Sequence, residues 1–268
     1  MSSTSKWVRR RELTTIHSEE GLDMKIEGCR ALVTGANRGL GKAFAEALLK
    51  AGAAKVYAAA RDPSTITDSR LIPMQLDVTS SHDVAAAALG CSDIDVLINN
   101  SGAMLSTEIL DPRAEQAMRQ ELEVNLFGML RMSQAFAPVL AINGGGAIVN
   151  MLSVVSWYVY PFNATYCASK HAALAATNAL RIQLKQQGTQ VIGVYAGFID
   201  TDMAATVTGE KTAPSQVADR TLYGIRMRRD HVYADSAAEG LWEMASTDPG
   251  KLEVLGQQLW DERRAWIS

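Results

Sequence analysis

The chain has 268 residues, a length that suits one α/β domain with a complete hydrophobic core. Its 26 basic and 29 acidic residues give a net charge of −3, which argues against nucleic acid or an anionic membrane surface as a partner. The three cysteines are widely spaced, so they indicate reduced thiols in a cytoplasmic protein and neither a disulfide framework nor a metal site.

The beginning of the chain is polar and contains three consecutive arginines, Arg9 to Arg11. No apolar segment follows them, so this stretch does not have the pattern of a secretory signal. We expect residues 1–24 to be a disordered extension and residues 25–268 to form one domain. The most apolar later run, Ala147–Phe162, is too short and too polar to span a membrane.

From Cys29 onward, short apolar runs alternate with longer segments of helical periodicity. The predicted strands are Ala31–Thr34, Lys55–Ala60, Leu71–Leu76, Ile94–Asn99, Ala147–Leu152 and Val191–Tyr195. The predicted helices are Gly39–Ala51, Ser81–Leu89, Ala114–Glu123, Val124–Leu140 and Thr165–Gln187. Strands that are apolar throughout and alternate with helices indicate a parallel sheet covered on both faces. We therefore predict an α/β fold with a doubly wound Rossmann sheet, in which ligands bind at the carboxyl ends of the strands.

A glycine-rich loop follows the first predicted strand, with the sequence T-G-A-N-R-G-L-G at residues 34–41. Gly35, Gly39 and Gly41 allow a tight turn and a close approach of the backbone, and the helix that follows can face a pyrophosphate with its N-terminus. The spacing differs from G-x-G-x-x-G, the commonest dinucleotide fingerprint. A tight turn without a ligand therefore stays an alternative for this motif taken alone.

A tyrosine and a lysine four residues apart, Tyr166 and Lys170, lie at the start of the longest predicted helix, and Ser153 precedes the tyrosine by thirteen positions. Residues four apart share one face of a helix, so the ammonium group should lower the pKa of the phenol from its usual value of about 10. The pair could then act as a general acid and base near neutral pH, with Ser153 as a second donor. Taken alone, this spacing also occurs on solvated helix faces.

Together, the motifs resemble the short-chain dehydrogenases/reductases with a Tyr-x-x-x-Lys site, over about Cys29 to Tyr195. The other motifs that carry the resemblance are Asp77-Val78 after the third strand, Asn99-Asn100-Ser101-Gly102 after the fourth, Asn125 in a helical segment, and Gly197-Phe198-Ile199-Asp200-Thr201 after the sixth. The resemblance implies an oxidoreductase of the carbonyl reductase or alcohol dehydrogenase type, which uses a nicotinamide cofactor and assembles as a homodimer or homotetramer.

The resemblance also implies a role for each site residue. Tyr166 would exchange a proton with the substrate oxygen, which Ser153 would polarise, and Lys170 would stabilise the phenolate and bind the nicotinamide ribose. Asn125 would bind a water that passes protons from Lys170 to solvent. The implied cofactor-binding residues are Gly35, Asn37, Arg38, Gly39, Leu40, Gly41, Arg61, Asp77, Val78, Asn99, Ser101, Gly102, Tyr166, Lys170, Ile199 and Thr201. No metal is implied.

The chain departs from the family pattern at three places. Ser101 replaces the common alanine, and Ala196 replaces the usual proline before Gly197, which should loosen the loop after the sixth strand. The C-terminal part lacks the usual glycine pair and instead runs through Leu252–Leu255 into the charged segment Asp261–Arg264. These departures affect the expected substrate lid and subunit contacts, and they leave the catalytic residues unchanged.

The end of the second predicted strand indicates the choice of cofactor. Enzymes that use NAD usually carry a carboxylate there for the ribose 2′-hydroxyl, whereas this chain has Ala60 followed by Arg61. Arg38 in the glycine loop faces the same ribose edge, and two guanidinium groups suit a 2′-phosphate. We therefore predict NADP rather than NAD. Asp62 is the one nearby carboxylate, and we expect it to pair with Arg61.

The substrate pocket is expected among Met104, Leu105, residues 154–162, Tyr195 and residues 202–227, with a substrate lid around residues 201–228. The aromatic side chains of the 154–162 segment favour a hydrophobic or aryl carbonyl substrate, unless they pack against the lid or a second subunit. Two alternatives stay open: a non-catalytic NADP-binding sensor or scaffold on the same fold, and a related enzyme such as a sugar epimerase.

Overall fold

Seven parallel strands form one sheet in the computed structural model of the chain, which describes residues 24–265. The strands are β1 (Arg30–Thr34), β2 (Lys55–Ala60), β3 (Ile72–Gln75), β4 (Val96–Asn99), β5 (Gly146–Met151), β6 (Thr189–Tyr195) and β7 (His231–Tyr233). Their order across the sheet is β3-β2-β1-β4-β5-β6-β7, so the direction of winding reverses between β1 and β4. The predicted doubly wound Rossmann sheet in a single α/β domain is confirmed.

Eight helices of two or more turns cover the sheet within the described residues. They are α1 (Gly39–Lys50), α2 (Ser81–Gly90), α3 (Ala114–Leu122), α4 (Met129–Ile142), α5 (Ala164–Leu184), α6 (Pro214–Arg226), α7 (Ser236–Thr247) and α8 (Gly250–Ala265). A π-helical segment, Glu123–Gly128, joins α3 to α4, so the two helices predicted there are one continuous rod. Elements up to β6 lie close to their predicted bounds, whereas β7, α6, α7 and α8 were not predicted.

Side chains alternate between the two faces of the sheet, as the strand period of two requires. On one face, strand residues such as Val33 and Ile98 pack under α1 and α6, with Phe44 as the largest buried side chain of α1. On the other face, residues such as Leu32 and Leu97 pack under α2, α4 and α5. Because both faces are buried, the strands contain apolar residues at nearly every position, which is the pattern that the sequence displays.

The C-terminal region departs from the expected substrate lid. Residues 214–226 form α6, which packs against α1 and contributes Val217 and Ile225 to the core, so this part of the 201–228 range is a covering helix of the sheet. We keep the lid as a proposal for residues 201–213 alone. The Leu252–Leu255 segment lies in α8, which packs against α7 and against the short 3₁₀ turn Pro161–Asn163.

The predicted disordered extension, residues 1–24, lies outside the described residues except for Met24, which packs against the core. None of the helices among residues 24–265 is long and apolar enough to cross a membrane. In the same part of the chain, no group of three or more His, Cys, Asp or Glu side chains could hold a metal ion.

Candidate active site

The loops after β1 and β4 meet at the point where the winding of the sheet reverses. The Thr34 hydroxyl accepts hydrogen bonds of 3.0 Å from the backbone N–H groups of Asn100 and Ser101. The Asn100 side chain in turn donates to the carbonyl oxygens of Thr34 and Gly35, at 2.9 and 3.3 Å. These bonds hold the glycine loop against the end of β4 and define the groove where ligands of such sheets bind.

The glycine loop has the geometry of an anion-binding turn. Gly35 and Gly39 adopt φ angles of 64° and 51°, in the left-handed region that favours glycine. A Cβ on Gly41 would collide with the carbonyl oxygen of Gly35 and with the side chain of Asn100, so only glycine fits there. The first turn of α1 carries no acidic residue and its N-cap, Arg38, makes no side-chain capping bond. The free N–H groups of α1 and its dipole can therefore hold a pyrophosphate.

Arg38 does not point toward Arg61 in this structure. Its guanidinium donates a 2.9 Å hydrogen bond to the carboxylate of Asp202, in the loop after β6, and both side chains are largely exposed. Arg61 is exposed at the end of β2 and makes no hydrogen bond or ion pair within the described residues, while Ala60 is buried beside it. An exposed ion pair is weak, so Arg38 remains available for a phosphate.

Asp62 does not pair with Arg61, and that prediction is wrong. Its Oδ1 accepts hydrogen bonds from the backbone N–H and the hydroxyl of Ser64, at 3.0 and 2.6 Å, and caps the short turn Pro63–Thr65. These donors lower the pKa of the Asp62 carboxyl. A local cap of this kind forms readily because a short acidic side chain reaches the N–H two residues ahead.

Along the rest of the groove, the predicted cofactor residues take different positions. The side chain of Asp77 accepts from Thr79 and closes the turn after β3, and Val78 is buried against Gly128. Asn37, Ser101 and Gly102 belong to the loops after β1 and β4, and Leu40 is a buried residue in the first turn of α1. Nothing in these positions conflicts with binding of an adenosine and a pyrophosphate.

Asn99 is the exception among the predicted cofactor residues. Its side-chain amide is buried and donates to Ser133 at 3.1 Å and to Asn150 at 2.9 Å, so it links β4 to α4 and β5. The side chain of Asn99 therefore lies on the face of the sheet that α4 covers, where it bonds to Ser133 and Asn150, and it does not reach the groove. Strand residues alternate in direction, so Asn99 and Asn100 cannot both face the same side.

The loop after β6 is anchored by a residue that the sequence motifs did not indicate. Asp235 is buried, caps α7 through Ala238, and accepts 2.8 Å from the N–H of Gly197 and 3.0 Å from the hydroxyl of Thr212. Ala196 is also buried. The carboxylate thus fixes the loop at both of its ends, which offsets the loss of rigidity expected from alanine in place of proline.

Ile199 and Thr201, the predicted cofactor residues of this loop, lie across the groove from α1. A Cβ on Gly39 would lie 3.2 Å from the Cγ2 atom of Thr201, so the two loops are in contact. Ile199 pairs with Thr212 through an isolated β-bridge. The glycine loop and the β6 loop thus form opposite walls of one cleft, and the Arg38–Asp202 bond spans it.

Ser153, Tyr166 and Lys170 come together at the ends of β5 and the start of α5. The Ser153 hydroxyl lies close enough to the phenol of Tyr166 to interact with it, and it accepts 3.3 Å from the N–H of Val155. The Nζ atom of Lys170 lies 5.6 Å from the centroid of the Tyr166 ring and donates 2.9 Å to the carbonyl oxygen of Met151. Both Ser153 and Lys170 are buried, so the three polar groups meet in a site with little water.

Burial dominates the electrostatics of the pair. It raises the pKa of the Tyr166 phenol, with smaller contributions from Cys167 and Glu121, while the hydrogen bond from Ser153 lowers it. Burial also lowers the pKa of the Lys170 ammonium to about 8. The expected lowering of the tyrosine pKa by Lys170 is not found, because both groups lose hydration together and the ammonium is bonded to the Met151 carbonyl.

Asn125 lies in the π-helical segment and binds the loop after β4. Its Oδ1 accepts 2.8 Å from the N–H of Ala103, and its Nδ2 donates 2.8 Å to the Ala103 carbonyl and 2.9 Å to the hydroxyl of Ser169. Both amide hydrogens are therefore used within the protein. A π-helical segment breaks the regular backbone bonding and often marks a functional site. Any water held by Asn125 would be bound chiefly by its main chain.

Several aromatic side chains expected in the substrate pocket pack elsewhere. Trp157 lies 4.3 Å from Tyr195, centroid to centroid, and both contact Tyr233 of β7, while Trp157 also contacts Trp242 of α7. Tyr195 is fully buried. Phe162 stacks on Trp260 of α8 at 5.4 Å. The expectation that Tyr195 lines the pocket is wrong, since β7 and α7 cover it.

A cavity of about 600 Å³ lies between α8 and the 157–161 segment. Its walls are mainly apolar and include Trp157, Tyr158, Leu252 and Trp260, and none of the predicted catalytic residues borders it. In the loops after β4 and β6, Leu105 and Phe198 expose 45% and 41% of their surface.

A family model for short chain dehydrogenases matches residues 30–212. A solved structure of a short chain dehydrogenase from Burkholderia cenocepacia in complex with NADP is 40% identical, with a TM-score of 0.84, over 87% of this chain and 99% of that one. The NADPH-dependent 1-acyldihydroxyacetone phosphate reductase of Schizosaccharomyces pombe is 33% identical over 201 residues, 72% of this chain and 67% of the relative. The NADP-dependent 3-hydroxy acid dehydrogenase of the same species is 26% identical over 240 residues, 79% and 92% of the two chains. The family model covers most of the chain, and the predicted catalytic tyrosine, lysine and serine come together in the structure, so the chain belongs to the short-chain dehydrogenase family.

Proposed function

We propose that this chain is an NADP(H)-dependent oxidoreductase that interconverts a ketone or aldehyde with the corresponding secondary or primary alcohol. The observation that carries the proposal is the meeting of the Ser153 hydroxyl and the Tyr166 phenol, with the Nζ atom of the buried Lys170 5.6 Å from the centroid of the Tyr166 ring. Two hydroxyl donors that meet at one point can bind the oxygen of a carbonyl group. Reduction of a carbonyl group requires the protein to supply such donors to its oxygen.

In the direction of reduction, the carbonyl carbon gains a hydride and the carbonyl oxygen gains a proton. Bound NADPH supplies the hydride. Ser153 holds and polarises the oxygen, and Tyr166 donates its proton to the oxygen as the C=O bond becomes a C–O bond. Burial keeps the pKa of Tyr166 high, so the phenol is protonated at neutral pH and ready to act as the acid. Lys170 lies beside the ring and stabilises the phenolate that remains.

NADP is the proposed cofactor because the adenosine end of the groove has guanidinium groups where a carboxylate would favour NAD. Arg61 is exposed and without an ion pair in the described part of the chain, and Arg38 has only an exposed, weak partner. The 40% identical structure is a complex with NADP, and the two named relatives are NADP-dependent enzymes. These facts support NADP over NAD.

For the substrate, we propose a hydrophobic or aryl carbonyl compound. Leu105, Phe198 and Met203 are exposed apolar side chains, the first in the loop after β4 and the other two in the loop after β6. Tyr160 packs edge-on to Phe162 and to Phe198, so the 154–162 segment also contributes an aromatic wall. The proposed lid, residues 201–213, would cover a substrate bound there. An apolar surface with two polar donors favours a compound with one polar group.

We also propose a homodimer or homotetramer in the cytoplasm. Phe127 in the π-helical segment and Ile182 on α5 expose 44% and 77% of their surface, which suits burial against a second copy. The cysteines Cys29, Cys91 and Cys167 are free and buried, which is typical of a reducing compartment. Light scattering of the purified protein tests the assembly, and a monomer would contradict it.

The test of function is NADPH consumption with a panel of carbonyl compounds. The panel should contain aryl ketones, aliphatic ketones, aldehydes and 3-oxo acids, the last because one relative is a 3-hydroxy acid dehydrogenase. We expect turnover that is faster with the aryl and long aliphatic ketones. A non-catalytic NADP-binding sensor would bind NADPH tightly and consume none of it with any carbonyl. A sugar epimerase would use sugar substrates without net consumption of cofactor.

A further inference from the structure

A fully buried carboxyl group lies beside the catalytic tyrosine and has no part in the mechanism above. Glu121 of α3 has no exposed surface. No arginine, lysine or histidine within the described residues forms an ion pair with it. Buried carboxyl groups without a basic partner are rare because burial disfavours their charge. The position therefore needs a physical explanation.

The contacts of Glu121 join two parts of the active site. Its Oε1 accepts a 2.7 Å hydrogen bond from the N–H of Leu105, in the loop after β4. The hydroxyl of Thr165, the residue before the catalytic Tyr166, lies close enough to interact with the carboxyl group. Neither Oε2 of Glu121 nor the Thr165 hydroxyl completes a hydrogen bond of good geometry, so both keep unused bonding capacity.

The loop that Glu121 holds is folded tightly against the start of α5. Ser106 adopts a φ of 50°, which is unfavourable for a residue other than glycine. The hydroxyl of Thr107 donates 3.2 Å to the Leu105 carbonyl, and the Thr107 carbonyl accepts 3.4 Å from the N–H of Thr165. A loop held in a strained conformation requires anchors, and the Leu105 N–H bond is one of them. Asn125, one helical turn after Glu121, provides the other anchor at Ala103.

Charge is the second consequence of this position. The titratable groups that face Glu121 are Tyr166 and Cys167 of α5, and its negative charge raises the pKa of both. Lys170 and Ser153 are the other groups beside the phenol. Burial raises the pKa of the Glu121 carboxyl itself. At the alkaline pH where the phenol loses its proton, the carboxyl is ionised and opposes the formation of a second negative charge.

We propose that Glu121 is a positioning residue for the reaction, which anchors the substrate loop through Leu105 and places a buried carboxyl group near Tyr166. This inference rests on the proposed function, because it assigns Glu121 an effect on the acid of that reaction. The two effects are separable, since glutamine keeps the shape and the acceptor oxygen of Glu121 but not its charge, whereas alanine removes both.

The experiment compares Glu121→Gln, Glu121→Ala and the control Glu115→Gln, which removes one charge from an exposed position of the same helix. For carbonyl reduction, activity falls at alkaline pH as the phenol ionises. In Glu121→Gln we expect this fall at a pH lower by about half a unit or more, with a KM for the carbonyl substrate near that of the wild type. Glu121→Ala should share the shift and raise KM about tenfold, because the Leu105 N–H loses its acceptor. Glu115→Gln should change neither quantity.

A second readout needs no turnover. Folding raises the pKa of Glu121 above its ordinary value of 4.5. The stability of the wild-type protein therefore falls, relative to a variant without this carboxyl group, as the pH rises above 4.5. Between pH 4.5 and pH 7, the melting temperature of Glu121→Gln should therefore rise relative to that of the wild type. The melting temperature of Glu115→Gln should not rise in this way. If no carbonyl is reduced, the proposed function fails and this readout still tests the buried charge. The inference on Glu121 is overturned if an active Glu121→Gln enzyme shows the same dependence of activity on pH as the wild type. It is also overturned if the difference in melting temperature between Glu121→Gln and the wild type does not change with pH.

Discussion

The guanidinium of Arg38 and the carboxylate of Asp202 are joined by a 2.9 Å hydrogen bond across the mouth of the cofactor groove. The bond links the glycine loop to the loop after β6, and both side chains are about three-quarters exposed. In this position Asp202 competes with a 2′-phosphate for the same guanidinium. The negative charge of Asp202 therefore opposes binding of the phosphate to Arg38.

The first prediction is that Asp202→Asn strengthens binding of NADPH and leaves binding of NADH unchanged. An exposed ion pair typically contributes up to about 1 kcal/mol, so the dissociation constant for NADPH should fall by up to about fivefold. Fluorescence titration of NADPH and NADH measures both constants. Asp200→Asn is the control, because Asp200 is exposed in the same loop and lies near Lys211 instead. Weaker NADPH binding in Asp202→Asn would show that Asp202 assists the cofactor.

The second prediction concerns cofactor selectivity. Charge-assisted hydrogen bonds typically contribute about 1.5–3 kcal/mol each, so two arginines would make NADPH preferred by roughly 10²- to 10⁴-fold, and the exposure of Arg38 and Arg61 favours the lower end. Arg61→Ala and Arg38→Ala should each raise the KM for NADPH and barely change that for NADH. Ala60→Asp should invert the preference, because a carboxylate accepts from a 2′-hydroxyl and repels a phosphate.

Values of kcat/KM with both cofactors in the wild type and the three variants decide this prediction. A wild-type enzyme that already prefers NADH would contradict it. The local capping role of Asp62 makes that outcome unexpected, since its Oδ1 is bonded to Ser64.

The third prediction tests the glycine loop by a pair of matched substitutions. Gly41→Ala places a Cβ against the Gly35 carbonyl, so it should destabilise the protein by about 1–3 kcal/mol and abolish tight NADPH binding. Gly240→Ala lies on an exposed turn of α7 with open space around it, and it should stabilise by about 0.5–1 kcal/mol. Denaturant unfolding measures both. Equal effects of the two substitutions would contradict the tight-turn account of the loop.

The fourth prediction follows from the burial of Lys170, which lowers its pKa from 10.5 to about 8. The folded protein therefore binds this proton less readily than the unfolded chain, and its stability rises as the pH increases from about 8 to 10.5. Relative to Lys170→Met, the wild type should gain up to about 3 kcal/mol of unfolding free energy over this range. The exposed Lys50→Met should show no such gain. A constant difference between Lys170→Met and the wild type would contradict the lowered pKa.

Much of the fold was predictable from the sequence because the sheet is buried on both faces. Strands such as β1 and β5 consist mainly of apolar residues in succession, and the glycine loop, Ser153 and the Gly197–Thr201 segment follow strands, at the edge where a parallel sheet collects its ligands. The serine, tyrosine and lysine of the predicted site were proposed from their spacing together with the family resemblance of the whole motif set. Tyr166 and Lys170 lie one helical turn apart on the same face of α5, so local structure alone brings these two side chains together.

The rest depended on contacts that no local pattern encodes. Glu121 stands in a polar helix and is indistinguishable in sequence from a surface glutamate, because its partner is a backbone N–H in a distant loop. Asp235 is similar, since it looks like a helix cap and only the folded chain brings Gly197 to its carboxylate. Tyr195 ends an apolar strand, and only β7 and α7 determine that it is covered. Long-range partners of this kind decide which polar and aromatic residues reach the site.

The measurement that tests the central claim most directly is single-turnover reduction of a carbonyl substrate by Tyr166→Phe, with NADPH binding measured on the same sample. The substitution removes the phenolic oxygen, which is the proton donor, and leaves the groove and its glycine loop intact. We predict a loss of at least about 10²-fold in kcat, the usual weight of general acid catalysis, with a dissociation constant for NADPH within about threefold of the wild type. Tyr223→Phe, on the exposed face of α6, should change neither quantity. Retention of more than about a hundredth of the wild-type kcat in Tyr166→Phe would contradict the assignment of Tyr166 as the acid of the reaction.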